Sequence, residues 1–433
     1  SGYLLLPYFF AISDDSDFTL SPRIYDNSKN LYQGEYRKVT KTSDHIIDMS
    51  IKNDNPLLLD DKSTDTHFFI KSSLKPNLNF FKYSELDVKV QTVSDEKYLK
   101  SFDIDSPIID SQSTLNSQVV FDGYNDDLDF SISAEVYEDL TKESNNDRYE
   151  YILPNFNITK NLNSELAGLF ELNSIGYNKI YETNINEKIF INNFSYNSLD
   201  KINKYGFKNN YEFIIKNFNS NSKNSTTLKN KTENTLQGLF QFNSKLPLVK
   251  DNEKFRSSLT PIFSAKFNPY GNKNISADDR LIDYTNIFSA NRLSSNEILE
   301  GGASITIGNE YKIFNNSNLS EEIFGLDLAA SFRENENNDL PLKSSLGKKT
   351  SNIVGQSRLK INDFIDTNYD FILDDNIGNI NYHKIKSNFR VNNFVTSFEF
   401  IEENNDIGKE SFFSNETEYK FSDNKNLIFR TRK

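Results

Sequence analysis

The 433-residue chain contains no cysteine, no tryptophan, one methionine and three histidines. Without cysteine it can form no disulfide framework, thiol nucleophile, zinc ribbon or cysteine-held cluster. Three scattered histidines make a multi-histidine metal centre a poor expectation, and no cofactor is expected. Positive charge is in deficit: 49 Lys and Arg stand against 62 Asp and Glu, a net charge of −13. That balance speaks against nucleic acid as a partner. No run approaches the ~20 consecutive apolar residues of a transmembrane helix, and these residues are not expected to include a signal peptide, which says nothing about location. Hydrophobic residues make up 36% of the chain, below the ~45–50% usual for globular proteins. Disordered chains share that shortage but are poor in aromatics, whereas 36 Phe and 22 Tyr bring the aromatic share here to 13%. The chain therefore folds, with its apolar residues spaced out among polar ones.

The spacing is two. Leu128, Phe130, Ile132, Ala134 and Val136 alternate with polar residues. So do Phe324, Leu326, Leu328, Ala330 and Phe332, the run from Leu259 to Phe267, the sets Leu166–Leu172 and Leu236–Phe242, and Leu86, Val88 and Val90. Side chains on a strand point to opposite faces in turn, so each run is a strand with one apolar face. Clusters of Asn, Asp, Ser, Gly and Lys separate the runs, as at 122–127, 220–225, 335–339 and 422–426, and suit turns and polar loops. There is no capped amphipathic helix, no fixed-length repeat and no Pro/Gly linker, so residues 1–433 are expected to form one all-β domain.

A large antiparallel transmembrane β-barrel fits this pattern. Its strands need only ~9–11 alternating residues, with lipid outside, a polar lumen inside and every backbone group paired around the ring. At ~20–25 residues per strand and connection the chain supplies about 17–21 strands. The alternatives are a different outer-membrane barrel, such as a porin or receptor, and a soluble surface-exposed β protein. The chain opens SGYLLLPYFF with no initiator Met and ends in LIFRTRK inside an apparent strand, so it is expected to be truncated at both ends.

Catalysis is not expected. A Ser-His-acid site would have to use His45, His67 or His383, and none sits in a nucleophile motif. The pairs Asp126-Asp127 and Asp374-Asp375 suit solvated loops better than a calcium site.

Three stretches are more specific than periodicity. The first is Leu4 to Ser13 (LLLPYFFAIS), followed by Asp17-Phe18-Thr19-Leu20-Ser21-Pro22 and Gly34-Glu35-Tyr36-Arg37. The second is Val93-Ser94-Asp95-Glu96-Lys97-Tyr98-Leu99-Lys100. The third runs from Asp283 to Tyr311 and contains Asn291-Arg292-Leu293-Ser294, Glu297, Glu300-Gly301-Gly302 and Gly308-Asn309-Glu310-Tyr311. Tyr151-Ile152-Leu153-Pro154 is a weaker fourth. In this order they resemble the barrel of the LPS-assembly outer-membrane proteins, the LptD/OstA family. The family has PYYW-x-I and D-x-T-L-T-P at the start, and NRFSG-x-DR-x-EGG in the later segment. Ser295 stands where the family has Gly, Ile298 where it usually has Arg, and Phe9-Phe10 where it has Tyr-Trp.

The resemblance implies an outer-membrane translocon of a Gram-negative bacterium that inserts lipopolysaccharide into the outer leaflet without covalent chemistry. It implies a periplasmic bridge protein docking on an N-terminal jellyroll domain missing from this chain, and in many members a lipoprotein plug in the lumen. Pro7 lies in an expected strand, where a proline, which removes a ladder hydrogen bond, suits an edge or a strand start; the resemblance implies instead that it weakens the seam where the barrel opens sideways. Asn291, Arg292, Glu297, Gly301 and Gly302 form the family-signature segment. They are expected to be structural: a polar loop held by its own hydrogen bonds and ion pairs, with glycines that permit close packing or a bulge.

Overall fold

A computed structural model describes residues 3–25, 29–54, 64–142, 147–162, 168–181, 184–316, 318–422 and 425–433. Leu166 and the pair Asp423-Asn424, singled out in the sequence, lie outside them. The described residues form a single antiparallel sheet of 25 strand segments, one four-residue helix, Tyr98–Ser101, and one 3-10 turn, Leu342–Ser344. The all-β antiparallel fold expected from the period is the one observed. The segments outnumber the 17–21 strands expected, in part because some strands are interrupted. Leu248–Asp251 and the preceding Glu233–Lys245 both pair with Phe255–Asn268, and Tyr3–Leu5 and Tyr8–Ser13 both pair with Ser16–Tyr25.

Pro7 causes the second interruption, which corrects the expectation that it lies within a strand. Tyr3–Leu5 aligns with Tyr25 to Arg23, and Tyr8 resumes opposite Leu20. Between them the Leu6 amide still donates to the Pro22 carbonyl at 3.1 Å. Pro7 has no N–H to give, so the ladder lapses there.

Contacts group the chain into two compact units. The first is Ser1–Leu162, Glu171–Asn193 and Asn217–Thr235; the second is Asn163–Phe170, Phe194–Lys216 and Leu236–Lys433. Both show the same inversion of the water-soluble pattern. In Ser43–Asp54 the buried residues are Asp48, Ser50 and Lys52, while Met49 and Ile51 are each 45% exposed. In Gly302–Asn315, Ser304 and Thr306 are buried while Ile305 and Ile307 are exposed. In Phe255–Asn268, Ser264, Lys266 and Asn268 are buried while Phe263 and Phe267 are exposed. Strands that bury polar groups and turn Phe, Ile and Leu outward are made for a surrounding that is itself apolar.

Connections differ by side. In the second unit, 252–254, 362–364 and 392–393 are tight turns, while 269–301, 334–352, 374–379 and 404–410 join the strands at their other ends. In the first unit 40–42 and 125–127 are short and 75–82 intermediate at one end, and 94–113 is long at the other. Short turns on one side and long connections on the other are the asymmetry of outer-membrane strands.

Candidate functional site

The polar strand faces do not stand empty. In the second unit the connection 269–301 leaves Phe255–Asn268, packs back over the polar face and re-enters the sheet as Gly302–Asn315. An irregular segment can be buried only where its peptide groups find partners, and strand side chains supply them. Gln241 donates to the Phe288 carbonyl at 2.7 Å, and Lys266 Nζ to the Ser289 and Ala290 carbonyls at 2.9 and 3.0 Å. Lys216 Nζ donates to the Asn296 carbonyl at 2.7 Å, and Gln237 Oε1 accepts from the Leu299 amide at 2.8 Å. Apolar residues finish the seat: Ile282, Ile287 and Leu293 pack with Ala329, Leu340, Leu346 and Val354. Leu340 and Leu346 belong to the connection 334–352, which meets the first through the Ile275 amide on the Asp339 carbonyl at 2.8 Å.

At the centre lies a charge cluster. Arg292 is 2% exposed and grips Glu300 with both arms, Nε to Oε2 and Nη2 to Oε1 at 2.6 Å each. Its remaining donors reach Ser304, Thr306 and Ser331 at 3.0–3.1 Å. Arg333 also holds Glu300 Oε1, and donates to the Leu346 and Gly301 carbonyls at 2.9 and 3.0 Å. Lys266 Nζ is 3.7 Å from Glu300 Oε2. Burial would push the Glu300 carboxyl up, but Arg292, Lys266 and Arg333 hold it down at about 2. One buried carboxylate, paired with Arg292 inside the connection, thus ties the connection to the sheet through two strand cations, Lys266 and Arg333.

The first unit repeats the device. The connection 94–113 carries the helix Tyr98–Ser101, and Tyr98, Leu99 and Ile104 are buried against Leu31, Phe69 and Leu115. Arg23 donates to the Phe102 and Asp103 carbonyls at 2.8 and 3.0 Å, Gln33 to Asp105 at 2.8 Å and Gln91 to Ile108 at 2.9 Å. Burial pushes the Tyr98 hydroxyl up to about 12. That hydroxyl lies 2.7 Å from Ser50 Oγ, which is 2.6 Å from His67 Nδ1; His67 Nε2 is 3.4 Å from Asp48 Oδ2. The outline is that of a Ser-His-Asp relay. However, Ser50, His67 and Asp48 are 4%, 2% and 0% exposed, and Ser50 is occupied by Tyr98. This is the geometry of a packed polar core.

The structure separates the sequence-selected residues. Arg292 is the anchor of the cluster. Asn291 donates to the Ser295 carbonyl at 3.0 Å, a local brace. Glu297 faces Lys273 at 3.2 Å, partly exposed and away from Glu300. A Cβ on Gly301 would lie 2.7 Å from the Tyr270 carbonyl, and Gly302 has φ +87°, so both glycines serve the backbone. The segment is less self-contained than a polar loop bound to itself: Arg333 and Lys266 hold it from strands, and Ile287, Leu293, Ile298 and Leu299 are buried. Lys266, Glu300 and Arg333 escaped the sequence reading as partners. Lys266 and Arg333 occupy polar-face positions of alternating strands, which was their only signal. His383 pairs with Glu402 at 2.5 Å, Asp127 with Lys160 at 2.6 Å, and Asp374 accepts the Gly378 amide at 2.7 Å.

Comparison with known proteins identifies one family. The family model for LptD, described as LPS transport system D, matches residues 69–424. The LPS-assembly protein LptD of Pseudomonas putida (strain W619) is 26% identical over 148 residues, which cover 33% of this chain and 15% of that protein. Among solved structures, the alcaligin outer-membrane receptor FauA of Bordetella pertussis is 8% identical with a TM-score of 0.37, the match covering 97% of this chain and 71% of that one.

Proposed function

The chain belongs to the LPS transport system D family, and we propose that it is one outer-membrane domain through which lipopolysaccharide reaches the outer leaflet. The observation that carries the reading is the inverted alternation: apolar side chains turned outward, polar and charged ones turned in. Such a wall meets hydrocarbon on one face and offers hydroxyls, amides and charges to a saccharide on the other. The work is transfer, with no bond made or broken. The acyl chains leave sideways at a seam that Pro7 weakens by removing one ladder hydrogen bond from the first strand pair. Lipopolysaccharide arrives by a periplasmic bridge protein that docks on a domain outside these residues. A lipoprotein in the lumen would meet an infolded connection such as 269–301.

The test is depletion of the full-length protein. Newly made lipopolysaccharide should then fail to become accessible to a surface-acting lipid A-modifying enzyme, and in undepleted membranes the protein's band should shift in gel mobility on boiling. Normal surface arrival under depletion would sink the reading.

A further inference from the structure

The outward face of the second unit is not uniformly filled. On Glu233–Lys245 the outward positions are Leu236, Gly238, Phe240 and Phe242. Gly238 is a gap in a row of large side chains. Among the described residues nothing fills it from the neighbours: a Cβ there would have only the Tyr270 ring, 3.9 Å away, within contact range. The result is a groove of about 360 Å³ lined by Phe213, Ile215, Leu236, Phe240, Phe267 and Tyr270, with Gly238 at its floor. That is near the lower end of the ~300–1,000 Å³ of small-molecule sites, room for part of one chain and not for a whole lipid. Leu236, Phe240, Phe267 and Tyr270 are 56, 43, 52 and 48% exposed, so the groove opens outward.

Three features say what covers it. The groove is continuous with the band of exposed Phe, Leu and Ile that the strands turn to their apolar surrounding. It lies where Phe255–Asn268 gives way to the long connection 269–301, the end opposite the tight turns, which in outer-membrane strands is the outer end. Tyr270 stands at that end, as girdle aromatics do at a membrane interface. The connection is pinned beside it by Gln237, which donates to the Gly271 carbonyl at 3.3 Å.

We propose that the groove at Gly238 holds one acyl chain of outer-leaflet lipopolysaccharide after its release, a site distinct from the Pro7 seam. This rests on the membrane reading given above. Within hydrocarbon there is no water to expel, so the preference comes from packing: a chain in the groove touches walls on more sides than one on a flat face.

The 433 residues contain no tryptophan, so an introduced one reports alone once any tryptophan elsewhere in the full-length protein is replaced by phenylalanine. Leu236→Trp marks the groove rim and Ile307→Trp a band position outside it. Each protein is reconstituted into vesicles of brominated phosphatidylcholine, whose chains quench tryptophan, and unbrominated rough lipopolysaccharide is titrated in. Quenching should be relieved at Leu236→Trp at about threefold lower lipopolysaccharide than at Ile307→Trp, a factor that a handful of extra carbon contacts supplies. Adding Gly238→Leu should abolish the difference, and Gly238→Ala should reduce it. Equal relief at both positions, or a difference that survives Gly238→Leu, overturns the groove and leaves the membrane reading intact. No quenching at either position overturns the membrane reading and the groove with it.

Discussion

Arg292 and Glu300 stand eight residues apart in one connection and meet as a fork on a fork, two hydrogen bonds of 2.6 Å between buried partners. The pair closes the connection on itself, and Arg333 then fastens the closed loop to the sheet through the same carboxylate. Removing one member of such a group leaves its partner charged and unmatched, at a cost of about 3–5 kcal/mol. Arg292→Met should therefore loosen the connection 269–301 while the strands stay paired. Limited trypsin digestion should cut at Lys273 or Arg280 in the variant much faster than in the parent, with the boiling shift retained. Equal cutting rates would mean that the apolar seat alone holds the connection.

The same carboxylate sets a pH limit. The Glu300 carboxyl sits at about 2 in the folded protein against an ordinary 4.5. A depressed value stabilises the fold above the unfolded value, and that contribution fades as pH falls from about 4.5 through 2. The amount is on the order of 3 kcal/mol. Urea midpoints in detergent should drop over that window in the parent, whereas Glu300→Gln should begin lower and change less. A parent curve parallel to that of Glu300→Gln would show that other carboxylates govern acid stability.

Two glycines offer a contrast. A Cβ on Gly308 would fall 2.5 Å from the Phe288 ring and 2.8 Å from the Leu328 carbonyl, whereas one on Gly238 would meet the Tyr270 ring at an ordinary contact distance of 3.9 Å. Gly308→Ala should cost about 1–3 kcal/mol through forced movement of Phe288, and Gly238→Ala should cost nothing or stabilise slightly. Thermal midpoints of the two variants decide it, and equal effects would show that Phe288 does not seat on the strand.

Ile307 and Thr306 are neighbours on opposite faces of one strand. Ile307→Arg should impair folding into vesicles by about 2–4 kcal/mol if the residue sits at mid-depth. The cost should shrink in a thinner bilayer, which brings the interface nearer. A cost that ignores bilayer thickness would contradict a lipid-facing side chain.

Pro7→Val supplies the amide that the first strand pair lacks. Barrel stability should hold or rise slightly, while the rate at which pulse-labelled lipopolysaccharide reaches the surface should fall. An unchanged rate would remove Pro7 from the path.

Much of this was legible in the sequence, and the reason is local. Alternation such as Ile305-Thr306-Ile307 specifies both a strand and which face meets which medium, because side-chain direction follows from position. Pro7 stands immediately before the strand that starts at Tyr8: its chemistry was clear, but whether a ladder tolerates or breaks at a proline depends on the partner strand. The cluster was only half visible. Arg292 and Glu300 lie in one recognisable stretch, but Arg333 and Lys266 are distant in sequence, and polar residues on a polar face look alike until a connection folds onto them. The infolding of 94–113 and 269–301 left its trace only in buried apolar residues, such as Leu99 and Ile287, within segments otherwise rich in turn formers.

The unequal connections carry a consequence for how the protein reaches its membrane. A strand hairpin with a tight turn at 362–364 or 392–393 can slip through hydrocarbon with little polar cargo. The opposite ends cannot, since 269–301 carries charges from Lys273 to Glu300 together with unpaired peptide groups, each costly to desolvate before its partners are met. Insertion is thus expected to be directional, with the passage of those segments as its costly step. Spontaneous entry into an intact bilayer should be rare, and entry should quicken where lipid packing is broken or where another protein first opens the leaflet.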